Sequence, residues 1–335
     1  MTALRLSILD QSAIPKGSNA RKAILETIST ARLAESLGYY RFWVSEHHNS
    51  PSIAGSTPEV LMARLAAETE TLRIGSGGIM LPNHSALKVA ENFRMLETMY
   101  PGRIDLGMGR APGGDRITAS MLNPSNTYSE ESYLMQLEHL QVFFTDKAET
   151  QYGPLIAIPQ AESVPQQWIL SSTGGSAGIA ARFGMGLAIA KFINGDADPA
   201  MVQTYRSAFH SRDGSEPNEL VAVFVICSET EERAAQLRKL YDYVLIQFEK
   251  GRFDPMPSPE EISAYEFSEM EKLRIAANAG RIVSGNPDSV KQQLQQLADN
   301  FDVEEIMIST MTHNSAERKR SFELIAEAYN LTAAS

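Results

Sequence analysis

The sequence predicts a (β/α)8 TIM barrel, in which eight parallel strands close into a cylinder surrounded by helices. Short apolar runs alternate with longer segments of helical period, and strict alternation predicts a parallel sheet. The apolar runs are continuous, as expected for strands that are covered on both faces. Eight strand-then-helix units suit a closed barrel better than an open sheet, so we expect one domain over residues 1–335.

The first four units have clear helix boundaries. Gly38 ends the first helix, and Pro101-Gly102 ends the third. Thr57 suits the N-cap of the second helix, with Pro58 in its first turn. The strands are predicted at 4–9, 42–45, 72–81 and 104–108, and the helices at 21–37, 57–70, 85–99 and 127–144.

The last four units follow the same pattern with one long interruption. The strands are predicted at 168–171, 187–190, 220–226 and 305–309, and the helices at 176–183, 199–211, 229–248 and 315–329. Residues 250–284 contain the stretch DPMPSPEE and no clear strand, so we predict an insertion between units seven and eight. A short helix capped by Asn286 should follow. Such an insertion is often a mobile lid, although a surface segment without a role is nearly as common.

Composition restricts the classes of function. The formal charge of -11 argues against nucleic acid or an anionic membrane as the main partner. No uncharged run approaches the length of a membrane span. Cys227 is the only cysteine, which excludes an intrachain disulfide and a cysteine-rich metal site. The N-terminal run MTALRLSILDQS lacks the basic region and cleavage site of a signal peptide, so we expect a cytoplasmic enzyme.

The triplet Glu46-His47-His48 follows the second predicted strand, at the end of a barrel where active sites lie. Adjacent side chains of an extended chain point to opposite sides, so both rings rarely reach one metal ion, and we expect no metal site. A polar strand end without a function remains an alternative. A catalytic imidazole is favoured, because its near-neutral pKa suits proton transfer.

Glycines interrupt the third predicted strand. Gly75, Gly77 and Gly78 lie in the stretch RIGSGGIMLP. Glycine in a buried strand costs stability unless packing is tight or a ligand lies against the backbone. Both explanations stay open for this strand, and the second would suit a flat ligand.

The fourth strand ends in RIDLGMGRAPGGD. Gly107 and Gly109 resemble the start of a dinucleotide fingerprint, but Pro112 takes the place of the third glycine and no helix begins there, so we reject that interpretation. The planar guanidinium of Arg110 suits an anion, with a surface salt bridge as the alternative.

A loop rich in hydroxyl groups and glycine, SSTGGS at 171–176, leads from the fifth strand directly into a helix. Hydroxyls, flexible glycines and the free N–H groups of a helix start together form a phosphate cradle. A plain N-cap would explain one serine but hardly the whole run. With Arg110, this loop predicts a site for a mononucleotide phosphate.

These segments, in this order, resemble those of the bacterial luciferase-like flavin monooxygenases, in particular the single-chain alkanal-monooxygenase-like branch. The resemblance covers nearly the whole chain, from LSILDQSAIPKG through GYYRFWVSEHHN and SSTGGSAGIAARFG to GNPDSVKQQLQQL. It implies reduced FMN supplied by a separate flavin reductase, together with dioxygen and a small organic substrate, for which an aldehyde is one candidate. It also implies a homodimer with an interface formed by helices 57–70 and 85–99.

Matched by position, the resemblance implies roles for individual residues. His47 matches the catalytic histidine, and Arg110 matches the arginine that binds the FMN phosphate. Gly109 stands where light-emitting members have a reactive cysteine, which argues against light emission and implies a wider pocket. The other expected cofactor-binding residues are Ser76, Gly77, Gly78, Thr173, Gly174 and Ser176, with a cis peptide bond between Gly77 and Gly78. His48 is expected to point away and to serve the structure.

Two other functions remain open at this point. A deazaflavin-dependent dehydrogenase would share the barrel and much of the phosphate pocket. A flavin-binding protein without turnover is the second alternative, and intact His47 and Arg110 argue against it. The sequence does not identify the substrate.

Overall fold

The computed structural model describes residues 4–125, 127–212 and 214–333. The first three residues of the predicted N-terminal run, and both ends of the expected domain 1–335, lie outside the described residues.

Parallel strands form a closed barrel, as predicted. In chain order the strands are β1 (Arg5–Asp10), β2 (Arg41–Val44), β3 (Arg73–Met80), β4 (Ile104–Gly109), β5 (Ala148–Thr150), β6 (Gly153–Leu155), β7 (Gln166–Ser171), β8 (Gly186–Ala190), β9 (Glu219–Cys227), β10 (Ile282–Gly285) and β11 (Glu305–Ser309). The barrel runs β1-β2-β3-β4-β7-β8-β9-β11, and β11 pairs with β1 to close it. These eight strands correspond to the eight predicted ones.

Helices connect the barrel strands and cover them on the outside. They are α1 (Ala20–Leu37), α2 (Pro58–Ala67), α3 (Ala86–Met99), α4 (Arg116–Leu122), α5 (Glu130–Phe143), α6 (Ala177–Phe183), α7 (Ala200–Ser207), α8 (Glu231–Glu249), α9 (Glu269–Asn278), α10 (Pro287–Phe301) and α11 (Ser315–Tyr329). Gly38 ends α1 in the left-handed region with φ 87°. The side chain of Asn286 caps α10 by accepting from the Ser289 amide at 2.9 Å, as predicted.

The connection between β4 and β7 contains structure that the sequence did not predict. Helix α4 lies where a loop was expected, and β5 and β6 form an antiparallel pair. Each of these two strands has three residues, which is too short for a period to be visible in the sequence. Helix α5 begins after Ser129, whose hydroxyl accepts from the Ser132 amide at 3.1 Å.

No strand was predicted in 250–284, but β10 (Ile282–Gly285) begins near the end of that segment, so this prediction is wrong there. Strand β10 pairs in parallel with the last part of β9, from Phe224 to Cys227, beyond the part of β9 that pairs with β8. Four residues with two consecutive apolar side chains give too little pattern to distinguish a strand from a loop. The helix that follows was predicted to be short, but α10 has 15 residues.

A buried ion network fills the N-terminal end of the barrel. The Arg41 guanidinium donates to Asp105 Oδ2 and to Glu305 Oε1, each at 2.7 Å, and all three side chains are fully buried. The Ser7 hydroxyl donates to Glu305 at 2.6 Å. Burial alone would lower the pKa of Arg41, but the two carboxylates more than offset it and raise the pKa. These residues form a polar plug beneath the apolar middle of the barrel.

Two tryptophans occupy the middle of the barrel. The rings of Trp43 and Trp168 meet edge to face with centroids 5.5 Å apart. A β-carbon at Gly75 would lie 2.4 Å from Trp43 Nε1, and one at Gly186 would lie 2.5 Å from Trp168 Cε3. For Gly75, tight packing is therefore the explanation, and no ligand is needed.

Candidate active site

A cavity of about 1030 Å³ opens at the C-terminal ends of the barrel strands. Its volume lies at the upper end of the range of about 300–1,000 Å³ that is usual for small-molecule sites. Apolar side chains form much of its floor: Leu9, Trp43, Leu170, Ala188, Leu220, Ala222 and Met307. Of the predicted site residues, the cavity is lined by His47, Gly77, Arg110, Thr173 and Ser176.

His47 lies just beyond the end of β2, half-buried in the cavity wall. Its amide donates to the Gly55 carbonyl at 2.9 Å, and its ring Nδ1 lies 3.1 Å from the Ser45 hydroxyl. Burial lowers the pKa of His47, and the neighbouring Glu46 carboxylate offsets only part of this effect. The lowered pKa favours the neutral ring, in which one nitrogen donates and the other accepts.

Glu46 is the centre of a buried hydrogen-bond network that the sequence did not reveal. Its carboxylate accepts from the Met80 amide at 2.8 Å and from the Asn83 side chain at 3.1 Å. It also bonds the ring Nε2 of His48 at 2.8 Å and that of His84 at 3.0 Å. Burial would raise the pKa of Glu46, but these partners lower it overall, and Glu46 in turn raises the pKa of His84 against the opposing effect of burial.

The Glu46 network joins three segments of the cavity wall. It connects the end of β2 to the end of β3, and the His48 amide extends it to the β4–α4 loop by donating to the Gly113 carbonyl at 3.0 Å. The Asn83 side chain donates to the Pro112 carbonyl of the same loop at 2.9 Å. The His48 ring thus bonds Glu46 beside the cavity, in line with the structural role expected for it.

The glycines of β3 have separate explanations. The peptide bond between Gly77 and Gly78 is cis, as predicted. Gly77 lines the cavity, whereas a β-carbon at Gly78 would lie 2.5 Å from Leu170 Cδ1 and 2.8 Å from the Gly107 carbonyl oxygen. Ser76 is fully buried and its hydroxyl bonds the backbone of Gly107, so it does not line the cavity.

Met80 occupies the space beside Gly109. A β-carbon at Gly109 would lie 2.8 Å from Met80 Cε, and one at Gly113 would lie 2.8 Å from Met80 Cγ. The thioether of Met80 therefore lies against Gly109, and the wider pocket expected from the absence of a cysteine stays a prediction.

Arg110 follows β4 at the rim of the cavity. Its Nη1 donates to Glu130 at 2.6 Å, and both side chains are about half exposed or more, at 46% and 64%. Among the described residues, its Nη2 and Nε groups have no hydrogen-bond partner. Arg110 thus forms the surface salt bridge that was the alternative, through Nη1 alone. Its Nη2 and Nε donors remain available for an anion.

The loop that follows β7 lies on the same cavity. Gly174 adopts the left-handed region with φ 82°, and the Asn194 side chain fixes the loop by donating to the Ser172 carbonyl at 2.9 Å. Within the described parts of the chain, the hydroxyls of Thr173 and Ser176 bond to no protein group, and both residues line the cavity. Gly174 does not line it.

Residues 250–284 pack beside this end of the barrel. Met256 and Ile262 are buried in a cluster with Phe224, Tyr241 and Met311. None of the described residues of the segment lines the cavity. Its role as a mobile lid stays a prediction.

The described residues form neither a metal-binding cluster nor a membrane-spanning helix. Among the described residues, no group of three or more His, Cys, Asp or Glu side chains could hold a metal ion. In the same part of the chain, no helix is long and apolar enough to cross a membrane.

Comparison with known proteins identifies the family. The family model described as luciferase-like monooxygenase matches residues 4–302. N-acetyl-S-alkylcysteine monooxygenase of Bacillus subtilis (strain 168) is 35% identical, over 97% of this chain and 98% of that protein. The crystal structure of apo-MsnO8 superposes with a TM-score of 0.91 and 34% identity, covering 98% of both chains.

A more distant structure shares the fold. The oxygenating constituent of 3,6-diketocamphane monooxygenase from Pseudomonas putida, solved in complex with FMN, has a TM-score of 0.73 and 18% identity and covers 98% of both chains. The matches over nearly the whole length agree with the barrel fold. The chain belongs to the luciferase-like monooxygenase family.

Proposed function

We propose that this protein uses reduced FMN and dioxygen to oxidise a small organic substrate in the cavity above the barrel. The single observation that carries the proposal is the convergence of His47, Gly77, Arg110, Thr173 and Ser176 on one cavity of about 1030 Å³. A separate flavin reductase would supply the reduced cofactor, because the sequence has no nicotinamide fingerprint of its own. The FMN complex of the distant structural relative supports the choice of cofactor.

The residues of the cavity fit FMN. Within the described chain, Arg110 Nη2 and Nε and the hydroxyls of Thr173 and Ser176 have no hydrogen-bond partner, and the three residues line the same cavity. Together they would bind the phosphate, while the side-chain-free surface of Gly77 and the apolar floor would accept the flat ring. When bound, reduced FMN supplies the electrons and the edge at which dioxygen is used.

The protein's own contribution would be the proton of the neutral His47 imidazole in the cavity wall and an apolar floor that helps to exclude water. His47 is held by its amide and by Ser45, so its ring is oriented before a ligand binds. Because the floor of the cavity is apolar, it would help to displace water when a ligand binds, and electrostatic interactions are stronger where water is excluded.

Aldehydes and thioethers are the two classes of substrate to test. The resemblance to alkanal monooxygenases implies aldehydes, and the Bacillus subtilis relative acts on N-acetyl-S-alkylcysteine, a thioether. The apolar cavity wall formed by Met80, Phe192 and Ile193 suits the alkyl part of either class.

Replacing Arg110 with alanine is expected to weaken FMN binding by about tenfold to a hundredfold, because a charge-assisted hydrogen bond is worth about 1.5–3 kcal/mol. Fluorescence quenching during an FMN titration measures this directly. Glu130→Gln should bind FMN at least as tightly as the parent, since it releases Arg110 from its ion pair.

The matched control for this experiment is Arg182→Ala. Arg182 also forms an exposed pair with a glutamate, Glu138, at 2.7 Å, but it does not line the cavity. If Arg110→Ala binds FMN like the parent and like Arg182→Ala, the phosphate site lies elsewhere. Titration with a deazaflavin cofactor, read by absorbance, tests the dehydrogenase alternative in the same series.

We also propose that the protein forms a homodimer through α2 and α3. Val60, Met95 and Met99 are exposed on these helices by 68%, 50% and 47%. A second copy would cover them, so Met95→Glu should produce a monomer, whereas Met270→Glu on α9 should leave the dimer intact. Light scattering at micromolar concentration measures both, and a monomeric parent would contradict the proposal.

A further inference from the structure

The hydroxyl of Ser45, which lines the cavity, bonds the imidazole of His47. Among the described residues, no other hydroxyl bonds this ring. The Ser45 Oγ to His47 Nδ1 distance is 3.1 Å, and Ser45 is only 4% exposed. Elsewhere in the described chain, the Ser45 hydroxyl has no hydrogen-bond partner, and His47 Nε2 has none either. The two residues are at i and i+2 directly after β2, and the His47 backbone is held there by the hydrogen bond from its amide to the Gly55 carbonyl at 2.9 Å.

The direction of this hydrogen bond follows from comparing the two possible donors, the Ser45 hydroxyl and an Nδ1–H group of His47. If Nδ1 carried the ring proton, it would donate to Oγ, and the buried hydroxyl hydrogen of Ser45 would have no acceptor in the described protein. If the hydroxyl donates to Nδ1, its hydrogen is satisfied and the ring proton is carried by Nε2. The second arrangement satisfies the buried hydroxyl, and the Nε2–H group that it leaves without a protein partner is not buried but open to the cavity.

We propose that Ser45 is a positioning residue that holds neutral His47 in the tautomer with its proton on Nε2. His47 then presents an N–H donor, and not a lone pair, to a ligand in the cavity. This assignment rests on the proposed function only for its effect on turnover, because the tautomer is a property of the protein alone. Glu46 and His48 are the charged or titratable neighbours of the ring, and both are engaged with each other.

Nuclear magnetic resonance of protein labelled with ¹⁵N-histidine tests the tautomer without any substrate. Long-range ¹H–¹⁵N correlations at neutral pH distinguish the two tautomers, and the signals of His47 are identified by their loss in His47→Asn. The parent and Ser45→Thr should show Nε2–H, whereas Ser45→Ala should show a mixture of both tautomers. A parent with Nδ1–H, or a Ser45→Ala spectrum like that of the parent, would overturn the proposal.

Turnover tests the functional consequence separately. Ser45→Ala should lower kcat by about threefold to tenfold, the range expected for losing one neutral hydrogen bond, with FMN affinity unchanged. Ser45→Thr should restore kcat. If the tautomer changes and kcat does not, the positioning role is wrong. If the tautomer result holds but no substrate is oxidised, the proposed function fails and the tautomer assignment stands.

Discussion

Replacing His47 with asparagine is expected to lower turnover by about a hundredfold or more, while FMN affinity stays close to that of the parent. Positioned acid–base groups contribute about 10²–10⁴ in rate, and His47 is the neutral imidazole of the cavity wall. The residues assigned to the phosphate are elsewhere on the rim, so they are unaffected. Coupled oxidation with an added flavin reductase gives turnover, and fluorescence quenching gives affinity.

The matched control is His139→Asn. His139 is exposed on α5 and lies outside the cavity lining, so its replacement should change neither quantity. A His47→Asn variant that turns over within a few-fold of the parent would show that the imidazole has no part in the chemistry. A variant that loses FMN binding as well would indicate that His47 shapes the cofactor site instead.

Replacing Arg41 with alanine is expected to lower the free energy of unfolding by about 3–5 kcal/mol, because it leaves buried carboxylates without their shared cation. Asp105 retains its pair with Arg73 at 2.5 Å, but the Glu305 carboxylate retains, among the described side chains, only the hydroxyl of Ser7. Adding Glu305→Gln should therefore recover part of the loss. Denaturant unfolding with a constant m-value measures the change.

An exposed arginine with several partners provides the comparison. Arg320 bonds Glu229 at 2.7 Å and Glu327 at 2.8 Å, yet its side chain is 40% exposed. Because solvent screens such contacts, Arg320→Ala should cost no more than about 1 kcal/mol. Equal losses for the Arg41 and Arg320 variants would contradict the account of the buried network.

The barrel could be predicted from the sequence because its signals are long and repeated. Strand Glu219–Cys227 is continuously apolar from Leu220 onward, and helix stops such as Gly38 have one clear physical reason. The cis bond between Gly77 and Gly78 was expected from the resemblance and the glycine run together. Short elements were missed, since β5, β6 and β10 have three, three and four residues.

The site could be predicted only in part, because contacts between distant segments leave little trace in a single sequence. The carboxylate of Glu46 is engaged by His84, which lies 38 positions away, and nothing near His84 indicated a partner. Arg41, Asp105 and Glu305 each stand near the start of an apolar strand. A charged residue at the start of several apolar strands was the one feature of the sequence that could have indicated the polar plug. The side chain of Met80 lies against Gly109. The glycine at position 109 does not by itself indicate in the sequence which side chain lies against it.

Oxidation under ¹⁸O₂ shows whether the protein transfers an oxygen atom from dioxygen to a substrate. The protein, FMN and a flavin reductase are incubated with a panel of aldehydes and thioethers, and products are identified by mass spectrometry. We expect a product that carries one ¹⁸O atom, that requires the reductase and dioxygen, and that is lost in His47→Asn. Absence of any such product from a protein that binds FMN, or substrate oxidation with a deazaflavin and no ¹⁸O incorporation, would contradict the proposed function.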